Sequence, residues 1–170
     1  MSVTLPPQLD VWRMVANQRR FEGSLPLAHM PRLAGVLADA EGDCRYVVEF
    51  YRDPLKLDVM HIQLNAVFHL ICQRTLERFE LPVEIDQRLG LISDESQEAS
   101  LPEDMEAVLI EGHGEVSPAQ LIEDELLLAV PLVPVNPDAS DLDPKWSGDE
   151  AVEEEKSSPV AALKALKDHT

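Results

Sequence analysis

Apolar and polar residues alternate along most of the chain from Lys56 to Ile92, and this pattern constrains the fold more than any other feature. Every second residue from Leu64 to Cys72 is apolar, while Asn65 and His69 fall on the opposite face. The same alternation returns from Phe79 to Ile85. A period of two residues is that of a β-strand with one packed face. The sequence therefore predicts an antiparallel meander that contains one long or bent strand.

Helices are predicted before and after the meander in the sequence. The segment Asp10 to Arg20 has apolar residues at helical spacing behind an aspartate that can cap the first turn, and His29 to Ala38 forms a second helical segment. Ser117 starts a third helix that is predicted to run to about Val130, with Pro118 at its first position and Gln120 completing a capping box. Short strands are predicted at Phe21 to Leu25 and at Ala107 to Ile110, and an acidic loop or lid at 93–105.

These elements predict an α+β domain over residues 1–137. Its sheet is an antiparallel β-meander or a partly closed barrel, packed with two or three helices. Residues 138–158 are acidic and poor in apolar residues, as is typical of a disordered linker. Residues 159–170 regain helical spacing, which is typical either of a fraying end or of a segment that docks on a partner.

The formal charge of −18 is unevenly distributed. Residues 1–92 contain ten Lys/Arg and twelve Asp/Glu, whereas residues 93–158 contain two Lys/Arg and nineteen Asp/Glu. Phosphate backbones repel such an acidic region, so non-specific binding of nucleic acid by the whole protein is disfavoured. An aromatic content of 5% also argues against a broad stacking platform for single-stranded RNA.

Several other classes of protein are disfavoured. No apolar run approaches the roughly 20 residues that cross a membrane, and the N-terminus lacks the pattern of a signal peptide, so we expect a cytoplasmic protein. Cys44 and Cys72 are too few for a disulfide scaffold and are expected to be free thiols. No phosphate loop, zinc-protease motif or nucleophilic triad is recognisable, and we expect no enzymatic activity, no cofactor and no small-molecule substrate.

Three motifs in order carry a resemblance to a known family: Cys72-Gln73-Arg74 within LICQRTLERFELPVE, the run LIEDELLLAVPLVPVNP from Leu121 to Pro137, and the terminal SPVAALKALK. Together with the N-terminal DVWRMVANQRRFEGSLPL, they make the chain similar to the YceD family over nearly its whole length. The resemblance implies a role in the accumulation of large-subunit ribosomal RNA, without an established enzymatic activity.

The chain departs from the pattern of that family at two positions. Members commonly have the motif C-x-R-C, but in this chain the last position of that motif is Thr75. A histidine often follows the proline exit in the family, whereas this chain has Asn136 there. A Cys-x-x-Cys metal or redox clip is therefore excluded. Structural zinc would require Cys44, Cys72 and two histidines to converge, and no ligand spacing supports that, so we expect no metal and interpret the cysteines as packing residues.

The third helix carries the candidate partner-binding residues. Glu123, Asp124 and Glu125 are consecutive, so their carboxylates diverge by about 100° per residue and form no catalytic dyad. They are interpreted either as solvated acids or as contacts to a basic partner. The apolar run that follows covers more of the helix than one core face requires, which favours a contact with the protein's own sheet or with another protein. The predicted partner-binding residues are Glu123, Asp124, Glu125, Leu126, Leu127, Pro131 and Pro134.

Arginine offers a planar fork that suits phosphate, so five arginines are candidates for RNA contact. They are Arg13, Arg19, Arg20, Arg74 and Arg78. Two hypotheses remain open. In the leading one, the protein is an acidic adaptor that binds a basic ribosomal or rRNA-processing protein. In the alternative, the arginines form a patch that binds large-subunit rRNA directly.

Overall fold

A computed structural model describes residues 5–139. The predicted linker at 138–158 and the predicted terminal segment at 159–170 therefore lie outside the described residues, apart from Asp138 and Ala139. The strands are β1 (Leu9–Asp10), β2 (Arg20–Pro26), β3 (Asp43–Arg52), β4 (Asp58–Ile71), β5 (Arg78–Ile92), β6 (Glu106–Leu109) and β7 (Glu115–Val116). The α-helices are α1 (Val11–Ala16), α2 (Pro31–Ala34) and α3 (Pro118–Leu128), and short 3-10 helices cover Leu27–His29 and Glu95–Ser100.

Within these residues one open sheet has the order β2-β3-β4-β5-β6, and β1 pairs with β7 separately. Strands β2 to β5 form the predicted antiparallel meander, so the α+β class is confirmed and the sheet is not a closed barrel. β4 spans 14 residues and is the long strand that the alternation predicted. β6 differs from its neighbours because it pairs with β5 in parallel. The segment 93–105, which connects β5 to β6, therefore crosses back over the sheet before β6 begins.

The apolar face of the sheet carries the main core. Ile62, Leu64 and Phe68 of β4 are fully buried there, and all three α-helices contribute to the same cluster, through residues such as Val11 of α1 and Ile122 of α3. The opposite face, called the outer face below, carries the alternate polar residues of the strands. One end of the outer face is covered, because Leu101 and Met105 pack over Gly90.

The helices are shorter than predicted. Asp10 caps α1 by accepting a hydrogen bond from the Arg13 N–H, as predicted, but α1 ends at Ala16. Gln18 then takes a positive φ of 47° in the turn to β2, so Arg20 belongs to a strand. The helix predicted at His29 to Ala38 is reduced to the single turn of α2. α3 ends at Leu128, and the predicted capping box is wrong, because the Ser117 side chain makes no capping hydrogen bond.

Candidate functional site

Residues 93–130 contain eleven Asp/Glu and no Lys or Arg, and this part of the chain runs from the end of β5 through the edge strand β6 to α3. The polar segment 93–105, predicted as a loop or lid, contains a 3-10 helix and lies beside the end of β5. β6 follows at the edge of the sheet, and α3 lies close enough for Glu106 to act electrostatically on Glu125. Burial first, and then the charges of Glu106 and Asp124, raise the pKa of Glu125. The six acids of this acidic edge are Asp94, Glu95, Glu98, Glu103, Glu106 and Glu125.

Glu123 has a structural role that the sequence did not predict. Its side chain is 7% exposed, and its carboxylate accepts hydrogen bonds from the backbone N–H groups of Arg32, at 2.7 Å, and Leu33, at 3.2 Å. The guanidinium of Arg32 also donates to it, with Nη2 at 3.0 Å. Burial favours the neutral carboxyl, but these donors outweigh it and lower the pKa of Glu123. Both predicted orientations, toward solvent or toward a partner, are therefore wrong for Glu123.

The other predicted residues of α3 are divided between the core and the surface. Asp124 is half exposed and accepts a hydrogen bond from Arg32 Nη1 at 2.6 Å. Leu126 is fully buried in the main core, so the prediction that it is available to a partner is wrong. Leu127 is half-buried. Leu128 is 75% exposed at the end of the helix. The exposed leucine of the apolar run is therefore Leu128, whereas Leu126 and Leu127 were predicted.

The segment that leaves α3 clasps the turn between β4 and β5. The Gln73 N–H donates to the Pro134 carbonyl at 2.8 Å, and the Asn136 N–H donates to Cys72 Sγ at 3.4 Å. The guanidinium of Arg74 donates to the carbonyl of Ala139. Two of the motifs identified in the sequence are therefore one structural unit, here called the clasp: the Cys72-Gln73-Arg74 turn and the proline exit.

Large apolar side chains are exposed beside the clasp. Leu132 is fully exposed and Val133 is 65% exposed on the exit segment, while Leu76 is 75% exposed at the strand turn. Pro131 and Pro134, both predicted to bind a partner, are half-buried in this segment. Leu132 and Val133 are adjacent on the exit segment, and exposed apolar groups that adjoin one another are typical of an interaction surface.

The five candidate arginines are not brought together. In the register of the sheet, Arg20 lies across from Glu49, which in turn lies across from His61 of β4. Arg78 lies across from Ile71, at the other end of β4. Ten residues of β4 separate these two positions, which corresponds to roughly 33 Å along the sheet. Arg20 is also paired with Glu49 at 2.8 Å. The single patch of five arginines is therefore not present in the structure.

Arg78 belongs to an ionic network that sequence reasoning missed. Its Nε donates to Asp39 at 2.7 Å, and Asp39 also lies 2.5 Å from His69 Nδ1. The hydrogen bond from Arg78, with a smaller contribution from His69, lowers the pKa of Asp39 to about 2. With Glu41, Asp39 and His69 form the one group within residues 5–139 whose geometry could hold a metal ion, but Asp39 is already engaged by Arg78.

The two cysteines occupy different electrostatic environments. Both are buried free thiols, as predicted. Hydrogen bonds to Cys72, the strongest from the Thr75 side chain and the next from the Asn136 N–H, lower its pKa to about 6, whereas burial raises the pKa of Cys44 to about 11. Thr75 and Asn136, the two positions at which the chain departs from the pattern of the family, are thus the residues that contact Cys72.

Among the described helices, none is both long and apolar enough to span a bilayer. The geometry defines an α+β protein built on one open sheet, with an acidic edge at one side and a clasped strand turn at the end of its longest hairpin. Comparison with known proteins identifies the family to which the chain is similar. Residues 60–167 match the family model described as large ribosomal RNA subunit accumulation protein YceD.

A relative from Haemophilus influenzae, named large ribosomal RNA subunit accumulation protein YceD, is 30% identical over 134 residues. The aligned region covers 79% of this chain and 77% of the relative. The chain therefore belongs to the YceD family, which confirms the resemblance found in the sequence motifs. No solved structure matches the chain.

Proposed function

We propose that the protein is a non-catalytic, cytoplasmic factor for the accumulation of large-subunit ribosomal RNA, and that it acts as an acidic adaptor for a basic ribosomal or rRNA-processing protein. Membership of the YceD family supports the pathway, because the name of the relative from Haemophilus influenzae describes that role. The acidic edge supports the mechanism, because its six carboxylates take part in no ion pair within residues 5–139, whereas Asp104 of the same segment is paired with Arg88.

Electrostatic repulsion within the acidic edge favours a cationic partner. Burial raises the pKa of Glu125, and the neighbouring charges of Glu106 and Asp124 add to that effect by disfavouring its charged form. A surface rich in Lys and Arg would relieve this repulsion and would be steered toward the edge by the field of the whole acidic region. Leu128, which is 75% exposed and lies one turn after Glu125 on α3, supplies apolar area for the contact.

The absence of catalysis is part of the proposal. Glu123, the most buried acid of α3, is held by four N–H donors and has no free lone pair directed to a substrate. Asp39 is likewise held by Arg78 and His69. Both groups are explained by their contacts within the protein.

The proposal is tested by affinity capture of the full-length protein from cells, with and without nuclease, followed by mass spectrometry and by affinity measurement with each purified candidate partner. We expect basic proteins to remain bound after nuclease treatment and to dissociate at high salt. The double variant E95Q/E98Q removes two charges from the acidic edge, and roughly fivefold weaker binding is expected if each charge contributes about 0.5 kcal/mol.

The matched control is E77Q/E84Q, which removes the same charge from two exposed positions on β5 and its preceding turn. This control should bind the partner like the unmodified protein. Equal losses in the two variants would show that only net charge matters and that the acidic edge is not the site. Loss of every association on nuclease treatment would refute the adaptor mechanism.

A further inference from the structure

Two of the five candidate arginines, Arg13 and Arg19, line one surface depression of about 680 Å³ beside α1 and the start of β2. Gln8 and Asn17 line the same depression, and one N–H of the Asn17 amide already donates to the Arg13 carbonyl at 2.7 Å. Arginine and amide groups together offer several N–H donors, which is the chemistry that recognises phosphate oxygens. The depression is the place where the structure does bring arginines of the predicted set together.

Neither Arg13 nor Arg19 takes part in an ion pair within the part of the chain that the structure describes. Five other arginines there are neutralised by carboxylates within 4.0 Å: Arg20, Arg32, Arg52, Arg78 and Arg88. An unpaired guanidinium keeps its donors for a ligand, whereas a paired one would first have to break an existing contact. Arg13 and Arg19 therefore offer their charge without that cost.

The main chain around Arg19 is fixed. Its N–H donates to the Met14 carbonyl at 3.1 Å, and its own carbonyl accepts from the Phe50 N–H at 2.8 Å. The guanidinium lies 5.8 Å from the centre of the Phe21 ring, which limits its orientations. Arg13 lies on the capped helix α1. The backbone positions of both arginines are thus well defined, and the ring contact restricts the exposed Arg19 side chain, which lowers the entropic cost of binding a ligand there.

The nearest acids leave room for an anion. Asp10 also lines the depression, but its Oδ1 is engaged by the Arg13 N–H at 3.1 Å. Glu115 lies opposite Asp10 in the β1–β7 pair and is absent from the lining. Within the sheet, β2 beside the depression and β6 of the acidic edge are the two opposite edge strands.

We propose that the Arg13–Arg19 depression binds a phosphodiester group of RNA. The choice of RNA as the source of the phosphate rests on the proposed function in rRNA accumulation, but the site is separate from the acidic edge. In this arrangement the protein contacts RNA at one edge of the sheet and a basic protein at the other. The contact is made to the RNA backbone and carries no base specificity.

The test uses purified full-length protein and a fluorescently labelled single-stranded RNA of about 20 nucleotides from the large subunit, followed by anisotropy across a salt series near 50–200 mM. The variant R13Q/R19Q is expected to bind about tenfold more weakly than the unmodified protein. Its slope of log K against log salt should decrease by about 1.4, because each lost phosphate contact on single-stranded RNA removes about 0.7. Circular dichroism and thermal unfolding establish that the variants are folded.

The matched control is R45Q/K56Q, which removes two exposed cations that have no ion pair within the described residues. Unchanged RNA affinity in this control supports the site, whereas equal losses in both variants overturn it in favour of a general charge effect. The variant R19K, which keeps the charge and loses the planar fork, should give an intermediate affinity.

Other outcomes would also overturn the proposal. One is no RNA binding by the unmodified protein; another is displacement of the RNA by equimolar inorganic phosphate, which would indicate a site for small anions. Failure here is distinguishable from failure of the adaptor mechanism, since R13Q/R19Q should leave nuclease-resistant capture of the protein partner unchanged and E95Q/E98Q should leave RNA binding undiminished.

Discussion

Substitution of Glu123 provides a direct test of how α2 and α3 are held together. In Glu123→Ala the backbone N–H groups of Arg32 and Leu33 lose their acceptor, and Leu33 is fully buried. A buried donor left without a partner costs about 1–3 kcal/mol, and loss of a helix cap costs about 1 kcal/mol. The Arg32 side chain is 51% exposed and keeps Asp124, so the broken ion pair adds little. We therefore expect the free energy of unfolding to fall by about 2–4 kcal/mol.

The measurement is urea unfolding of the full-length protein followed by circular dichroism, with Asp124→Ala as the matched control. Asp124 bonds the same Arg32 at 2.6 Å, but both side chains are about half exposed, so its loss should cost at most about 1 kcal/mol. If the two variants lose the same stability, the buried N–H groups are not what Glu123 stabilises, and the reasoning is wrong. Glu123→Gln keeps one acceptor oxygen and should fall between them.

The same residue predicts a dependence on pH. The pKa of Glu123 is lower in the folded protein than its ordinary value of 4.5. Its contribution to stability is therefore fully present above about pH 4.5 and is lost as the pH falls through the folded pKa. Glu123→Gln cannot titrate, so the stability difference between it and the unmodified protein should shrink on acidification below pH 4.5. A difference that stays constant from pH 7 to pH 3 would contradict this.

Two further predictions concern local packing and thiol chemistry. Gly114→Ala should destabilise the fold by about 3 kcal/mol, because φ is +92° and the added Cβ would lie 2.4 Å from the Trp12 ring, whereas Gly112→Ala, with φ of +63° and no atom within 4 Å of the new Cβ, should cost about 1 kcal/mol in the same urea assay. At pH 7.5 iodoacetamide should label Cys72, with its pKa of about 6, before Cys44, with its pKa of about 11, as followed by peptide mass spectrometry. Equal labelling rates would show that opening of the fold alone controls access.

Local pattern was sufficient to predict the meander. The alternation of buried and less buried residues runs without a break from Met60 to Leu70 in β4, and a shift of one residue would expose its whole apolar face, so both the strand and its packed side follow from sequence. The parallel direction of β6 was not readable in the same way. It depends on the segment 93–105 crossing the outer face, where Leu101 fills the space over Gly90. Only a glycine inside a strand pattern signalled that another segment approaches there.

The role of Glu123 depends on a contact across 91 residues of sequence. Helical periodicity placed it beside Asp124 and Glu125 as one of three surface acids, since charged residues are rarely buried without a partner. The partner is the exposed start of α2, which is too short to satisfy its own N–H groups. The proline at position 31 marked that helix start, but nothing in the sequence connected it to α3.

Strand register decides what each arginine can do. Arg20 and Arg19 are adjacent in sequence, yet β2 places Arg20 opposite Glu49, whereas Arg19 precedes the strand and has no carboxylate opposite it. The Arg78–Asp39 contact likewise follows from the fold of the chain around the β4–β5 hairpin. Substitution of an arginine that forms an ion pair changes the stability of the fold, whereas substitution of one without an ion pair reports on binding. Mutagenesis aimed at RNA is therefore informative at Arg13 and Arg19, whereas a lost function at Arg20 or Arg78 would be confounded by the ion pairs that those residues make within the protein.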